Sequence, residues 1–461
     1  MEYMNVRRLS SLPLLLVFLP VCGLAGQVSG SVGAPEPMTV IPAASVDSER
    51  PTRQDPPDLR LEEILELARE ASPRVRAALE MVEAARAREP GAGLLPDPNL
   101  QVGVMNLALP EFSTTMPASM APSFQAMQRI PIAGKLPLRS DLARQTTEIA
   151  RLGSDEVWWE VRTDAASAFY RIYQIDAQVE VMRRTLELLG DFQAVARSMY
   201  EAGSGRQADI LRANVEIARM EAEIQRMMAT RAAAGSHLNA ILHRPSETPI
   251  PRPALDPLPA SVPDRGVLRN WALESRPVLG SHKGEVERAG TRRLLANREI
   301  WPDLTVGIQY GLGRMAGDLK SMGGASVGFS IPIYAGRRQM KVRDEAAAME
   351  SAARARFDQA FAVVDAQIGA GLADLEQNRT LIRLYREEIL PQARATVASS
   401  LSSYRVGAVD FMTLLDAQMA LNRFEGEYFG LVAAYGSAIA RLEMTIGRDL
   451  PVTDELPLEE S

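Results

Sequence analysis

Four methionines are the residues whose chemistry first suggests a role for this sequence. They fall in one short segment, although the 461-residue chain contains only 20 methionines in all. Thioether sulfur is a soft ligand that suits Cu(I), so one interpretation is a loop that contacts copper. The other is that methionine fills irregular gaps in a packed loop. The four residues are Met105, Met116, Met120 and Met127.

Other metal-binding or catalytic patterns are not evident. His237 and His243 would fall on different faces of a helix, and His282 is distant in sequence, so no zinc site is predicted. The glycines of residues 311–317 lack the spacing of a phosphate-binding loop and predict a β-turn loop instead. Because no carboxylate pair, nucleophile elbow or catalytic triad stands out, we predict neither an enzyme nor a cofactor.

The composition favours a large helical protein. The chain is 46% hydrophobic, 5% aromatic and 24% charged, which is compatible with a large ordered core. Its formal net charge is −7, so it lacks the basic surface that nucleic-acid binding requires.

The N-terminus has the pattern of an export signal. Arg7 and Arg8 precede an apolar stretch at 12–19, and residues 23–25 offer a small-residue cleavage site. We therefore predict that residues 1–25 are a signal peptide and that the protein is exported.

The segment around the cleavage site leaves an alternative open. Cys22, the only cysteine, follows a sequence that faintly resembles a lipobox, in which cysteine becomes the acylated N-terminus. Beyond it, residues 26–60 are rich in Pro, Gly and Ser and predict a disordered lead-in.

An internal duplication organises the rest of the chain. The motif Tyr-x-x-Gly at Tyr200–Gly203 recurs at Tyr404–Gly407, and other matches keep the same order along the sequence. They include Leu211 with Leu415, Leu238 with Leu442, Arg244 with Arg448, Ile130 with Ile331, and Asp97 with Asp303. We predict copies at 61–247 and 266–450, a Pro-rich linker at 248–265 and a C-terminal tail at 451–461.

Each copy is predicted to contain a long helix, two strands, a very long helix, a glycine turn and a return helix. The very long helices, 138–199 and 338–403, would each be roughly 90–100 Å long at 1.5 Å per residue, and Pro391 should distort the second one. Heptad spacing predicts a coiled-coil seam. Its residues in the first copy are Ala165, Ala168, Ile172, Ile175, Val179, Met182, Leu186 and Leu189.

The strands have a period of two, with one apolar face and one small or polar face. In the second copy Leu304, Val306 and Ile308 alternate with Thr305 and Gly307. This alternation is typical of membrane β-barrel strands. Four strands cannot close a barrel, and open edges in lipid would leave backbone groups unpaired. We therefore expect oligomerisation, and three chains would give twelve strands.

The duplicated motifs carry a family resemblance. The Tyr-x-x-Gly turns, the Ile-Pro-Ile segments that run into Ala133-Gly134-Lys135 and Ala335-Gly336-Arg337, and the segment 389–393 resemble the outer-membrane efflux proteins typified by TolC. The resemblance implies a mainly α fold with membrane β: a trimeric 12-strand β-barrel in the outer membrane, continued by a 12-helix α-barrel in the periplasm. It also implies a homotrimer in contact with outer-membrane lipid, a periplasmic adaptor, and an inner-membrane pump of the resistance-nodulation-division type.

The resemblance also assigns a site. The turns marked by Tyr200, Gly203 and Gly407 would be periplasmic helix tips that close the duct. The implied gate residues are Asp209, Tyr404, Asp410 and Asp416, although Val409 stands where TolC has arginine.

Substrate and class leave alternatives. The Gly134-Lys135-Leu136 segment resembles the heavy-metal branch, which exports copper and silver or cobalt, zinc and cadmium. A duct for drugs and small molecules is the alternative within the family. A periplasmic coiled-coil adaptor is the alternative from another class, but an adaptor would lack the duplication.

Overall fold

The computed structural model describes residues 59–105, 121–315 and 318–458. The predicted signal peptide with Cys22, nearly all of the predicted lead-in, and Met116 and Met120 lie outside these residues. Within the described ranges, no helix combines the length and the apolar character needed to cross a membrane.

The two halves of the chain contain matching elements in the same order, except that α3 has no counterpart in the second half and the very long helix there is divided by a π-helical turn. The first half consists of α1 (Leu61–Ala71), α2 (Pro73–Arg86), α3 (Glu89–Ala92), β1 (Asn99–Met105), β2 (Ala121–Ile130), α4 (Lys135–Glu201) and α5 (Gln207–Ile241). The second consists of α6 (Arg265–Ser275), α7 (Pro277–Arg298), β3 (Leu304–Met315), β4 (Asp318–Phe329), α8 (Gln339–Leu384), a π-helical turn (Tyr385–Ile389), α9 (Leu390–Arg405) and α10 (Phe411–Ile446).

The first helix of each copy is broken, which corrects the prediction of one long helix there. Pro73 begins α2 and Pro277 begins α7. Proline disfavours helical backbone in the residue before it, and both preceding residues, Ser72 and Arg276, are extended. Proline is well tolerated as the first residue of a new helix, so each break is followed at once by another helix.

The irregularity expected at Pro391 is present as the π-helical turn that joins α8 to α9. Proline has no N–H to donate to the carbonyl four residues earlier. Just before it, the Leu390 N–H bonds to the Tyr385 carbonyl five residues back. The local change in hydrogen bonding lets the helix continue to Arg405.

The strands form one antiparallel sheet in the order β1-β2-β3-β4. β3 and β4 are longer than predicted, and Gly311 lies inside β3 rather than in a turn loop. Conversely, Ile331, predicted as the end of a strand, lies beyond the end of β4. In residues 311–315 the backbone of β3 pairs with β4, although the sequence there does not alternate between apolar and polar residues.

The register confirms the predicted two-faced sheet. Directly opposed residues in an antiparallel pair share a face. Val306 is opposite Val327 on one face, and Gly307 is opposite Ser326 on the other. The apolar face is exposed in the isolated chain and extends across all four strands. Its large exposed members are Leu100, Val102, Phe124, Ile308, Tyr310, Val327 and Phe329.

The core confirms the heptad seam. Six of the eight predicted seam residues of α4 are buried, and the other two, Met182 and Leu186, are partly buried. α4 packs against α5 and α10. Contact with α10 is close because Gly436 has no side chain: a Cβ there would lie 2.4 Å from the Tyr170 ring.

Partly buried ion pairs join the two copies. Arg162 of α4 bonds Glu443 of α10 at 2.6 Å and Asp449 at 2.7 Å. Burial raises the pKa of Glu443, and the nearby Arg162 guanidinium opposes that rise. Arg276, at the break before α7, bonds Glu156 of α4 at 2.6 Å. Since losing one member of a buried pair leaves an uncompensated charge, these contacts hold the copies in a fixed arrangement.

The linker is also ordered. Leu59, at the end of the predicted lead-in, pairs in parallel with Pro253, and Pro259 pairs with Glu455. The buried Tyr435 hydroxyl donates to the Pro259 carbonyl at 2.5 Å. The Pro-rich segment thus contacts α10 and chain segments from both ends of the described region.

Candidate functional site: the helical tips

The predicted gate lies where two helical hairpins turn. α4 and α5 form one hairpin, and α9 and α10 form the other. Apolar residues from both hairpins share one hydrophobic cluster near the turns, which includes Phe192, Ala213, Tyr404, Phe411 and Leu414. The two turns are therefore packed together within a single chain.

Both turns end their helix in the same way. Gly203 and Gly407 each have φ of +73°, a left-handed conformation that favours glycine. The Ser204 N–H donates to the Met199 carbonyl, and the Ala408 N–H donates to the Ser403 carbonyl, each at 2.9 Å. This pattern is a Schellman motif, which satisfies carbonyls at a helix end. The glycines set the turn geometry.

The structure brings two of the predicted gate residues together. Tyr404 lies near the end of α9 and is 3% exposed, while Asp209 lies in the first turn of α5 and is also buried. Burial first, and the facing Asp209 carboxylate second, raise the pKa of Tyr404 to about 12. The phenol therefore keeps its proton at neutral pH.

The Tyr404 contact is mainly one of packing and charge. Its hydroxyl oxygen is buried and makes no hydrogen bond of normal geometry within the described residues. Its ring packs edge-on against Phe411, with centroids 5.5 Å apart.

The other two predicted gate residues lie apart from this pair and have different roles. Asp410 caps α10: its Oδ1 accepts from the Thr413 N–H at 2.9 Å and from the Thr413 hydroxyl at 2.6 Å. These hydrogen bonds hold the pKa of Asp410 below its ordinary value. Asp416 is exposed on α10. Val409, which replaces the arginine of TolC, packs against the apolar cluster.

Two basic residues at the tip were not among the predicted gate residues. Arg206 and Arg212 lie close enough to Asp410 to lower its pKa further. The tip is therefore of mixed charge. Both arginines lie close in sequence to the predicted gate residue Asp209, at the start of α5. That proximity could have indicated that they would also lie at the tip.

The duplicated tyrosines have different surroundings. Tyr200 matches Tyr404 in the repeat, but it is 47% exposed. Leu211 is likewise exposed, whereas its match Leu415 is buried. The second copy's tip is covered by the first copy, and nothing in the described chain covers the first copy's tip in the same way.

The structure describes two of the four methionines, Met105 and Met127. Met127 is half-buried on β2, and its side chain lies on the small, polar face of the sheet beside Gly307. Met105 ends β1. Among the described residues, no three His, Cys, Asp or Glu side chains are grouped so that they could hold a metal ion.

Comparison with known proteins shows what the chain is similar to. Residues 268–448 match the family described as outer membrane efflux protein. The cobalt-zinc-cadmium resistance protein CzcC of Cupriavidus metallidurans is 22% identical over 394 residues, covering 85% of this chain and 90% of CzcC.

Solved structures share the fold. A crystal structure of CusC has a TM-score of 0.73 at 18% identity and covers 85% of this chain and 92% of CusC. The outer membrane protein VceC of Vibrio cholerae has a TM-score of 0.71 at 16% identity, covering 84% of this chain and 96% of VceC. Residues 268–448 therefore match the outer membrane efflux protein family, and the chain as a whole shares its fold with CusC and VceC.

Proposed function

We propose that three copies of this chain form the exit duct of a tripartite efflux system, with a twelve-strand barrel in the outer membrane and a twelve-helix barrel in the periplasm. The two-faced four-strand sheet with two free edges carries this proposal. Its exposed apolar face suits lipid, and its small, polar face suits a water-filled lumen. TolC-type channels work with a periplasmic adaptor and an inner-membrane pump; we propose a pump of the resistance-nodulation-division type here.

We further propose that the cargo is a heavy-metal cation of the cobalt, zinc and cadmium class. The relationship to CzcC supports this substrate class. Met127 on the proposed lumen face does not favour this class over copper, because thioether sulfur suits Cu(I). A duct for drugs and small molecules remains the second candidate.

Deletion of the gene tests the substrate. The deleted strain should become more sensitive to cobalt, zinc or cadmium, because the cation would no longer leave the periplasm. Growth inhibition by these metals, by copper and silver and by a panel of drugs would be compared with a complemented strain. Unchanged metal sensitivity together with increased drug sensitivity would overturn the metal proposal in favour of the drug duct.

The proposed facing of the sheet is tested by two neighbouring residues of β4. Phe329→Arg would place a charge on the face toward lipid at the end of β4, where arginine is unfavourable by less than the about 2–4 kcal/mol that it costs at the midplane, whereas Gly328→Arg would place it toward the lumen. We expect Phe329→Arg to reduce assembled protein in the outer-membrane fraction much more than Gly328→Arg.

Gly328 is the suitable control because a Cβ there meets no atom within 4 Å. Gly307 is less suitable, since a Cβ there would lie 2.5 Å from the Ser326 Oγ. Equal assembly defects for the two β4 variants would show that the proposed facing is wrong.

The proposed gate is tested at the Asp209–Tyr404 pair. Because the pair is buried, the about 0.2–1 kcal/mol of an exposed polar contact is its least contribution once the Tyr404 hydroxyl reaches Asp209, so three copies contribute roughly 0.6 kcal/mol or more if the contacts add. Asp209→Ala with Tyr404→Phe should shift the equilibrium toward the open duct by about threefold or more. Single-channel conductance in a planar bilayer should therefore rise.

The matched control is Tyr200→Phe, which removes the same hydroxyl from the exposed tyrosine of the other turn. It should leave conductance close to that of the unmodified protein. Unchanged conductance of the double variant, or an equal rise in the control, would place the latch elsewhere.

A further inference from the structure

A buried ion pair marks the place where strands pass into helices. Lys135, the first residue of α4, is buried, and Asp303 immediately precedes β3. The Lys135 Nζ donates to Asp303 Oδ1 at 2.6 Å and to the Trp301 carbonyl at 2.7 Å. The pair joins the end of the first copy's strand pair to the start of the second copy's, across the β2–β3 boundary.

The duplication supplies an equivalent pair of charges. Gly134-Lys135 matches Gly336-Arg337, and Pro96-Asp97 matches Pro302-Asp303. Asp97 precedes β1 and Arg337 follows β4, at opposite edges of the sheet. Three strand spacings, about 14 Å, separate these edges, so the strand order does not bring Asp97 and Arg337 together as it does Lys135 and Asp303. Both are exposed.

Apolar neighbours show the same imbalance. Ile331 is 75% exposed and Ile333 is 86% exposed, whereas their first-copy matches Ile130 and Ile132 are half-buried. The additional Tyr334 is also exposed. Matched sequences thus differ in burial because the second copy covers the first, and nothing in the described chain covers the second. Ile130 and Ile132 lie next to the start of the strand pair β3–β4, so we expect that the partner surface for Ile331 and Ile333 is also the start of a strand pair.

We propose that Arg337 of one chain forms an ion pair with Asp97 of the next chain, so that the β4–β1 boundary between chains repeats the β2–β3 boundary within a chain. This inference rests on the proposed oligomeric channel. A ring would then alternate Lys–Asp pairs within chains and Arg–Asp pairs between chains. The Leu95 carbonyl, which matches that of Trp301, is available as a second acceptor for the guanidinium.

Such a pair would fix how adjoining chains align. A slip of one residue moves every side chain of a strand to the other face, and it would also separate the two charges. Because removal of one partner from a buried pair is strongly unfavourable, the contact selects the aligned register. The free edges of β1 and β4 provide backbone pairing, and the ion pair specifies its position.

Arg338 is the appropriate control for Arg337, because both residues lie in the same stretch of backbone before α8. α4 begins at Lys135, whereas α8 begins at Gln339, so Arg337 and Arg338 both precede the helix. The sequence match assigns the contact to Arg337, and the two arginines can be tested separately.

A charge exchange tests the proposed pair. Asp97→Arg and Arg337→Asp should each reduce the fraction of trimer recovered from the outer membrane and lower the temperature at which it dissociates. The double variant should regain most of both losses. Arg338→Asp combined with Asp97→Arg should give no recovery. A double variant no better than its single changes, or equal recovery with Arg338→Asp, would overturn the pair.

Crosslinking gives a second readout that does not depend on stability. A short bis-maleimide should join Arg337→Cys to Asp97→Cys between chains and produce dimers and trimers on a denaturing gel. The calibrating variant, Lys135→Cys with Asp303→Cys, should yield linked peptides within one chain. Single-cysteine variants control for Cys22.

A reagent that links the calibrating pair but not the test pair in intact trimers would contradict the proposal. Absence of trimers in the unmodified protein is a different result, and it would overturn the proposed channel itself.

Discussion

Backbone hydrogen bonding at the two edges of the sheet is the constraint on which this structure depends. β1 and β4 each pair with a neighbour on only one side. A sheet with a lipid-facing apolar surface cannot leave those edges open, because each unpaired polar group in hydrocarbon costs several kcal/mol. In the proposed oligomer, further copies would satisfy both edges at once. A neighbouring copy would also cover the exposed residues Ile331 and Ile333 after β4, and Tyr200 and Leu211 at the first helical turn.

The helices impose a complementary requirement. α4 contains 67 residues, and its length can be stabilised only by continuous burial along one stripe. α5 and α10 provide that burial, and the close approach at Gly436 and the Arg162–Glu443 pair fix α10 in place. The tip residues Asp209 and Tyr404 are likewise held by packing between the two hairpins.

Periodic features could be predicted from the sequence because they report one-sided burial. The seam residues of α4 and the alternation at Val306 and Gly307 belong to this group. The breaks at Pro73 and Pro277 were missed, although proline as a first helical residue was an available signal. The full length of β3 could not be predicted from the sequence, because its glycines pair with β4 through the backbone and carry no side-chain pattern. The different exposure of Tyr200 and Tyr404 could not be predicted either, since matched sequences acquire different neighbours only after folding.

The number of chains in the membrane-inserted protein tests the central claim most directly. Native mass spectrometry of the protein extracted from outer membranes in mild detergent would measure it. The account predicts a trimer, with no folded monomer extracted from the membrane, because one chain cannot satisfy its own sheet edges. A folded, membrane-inserted monomer would contradict the account.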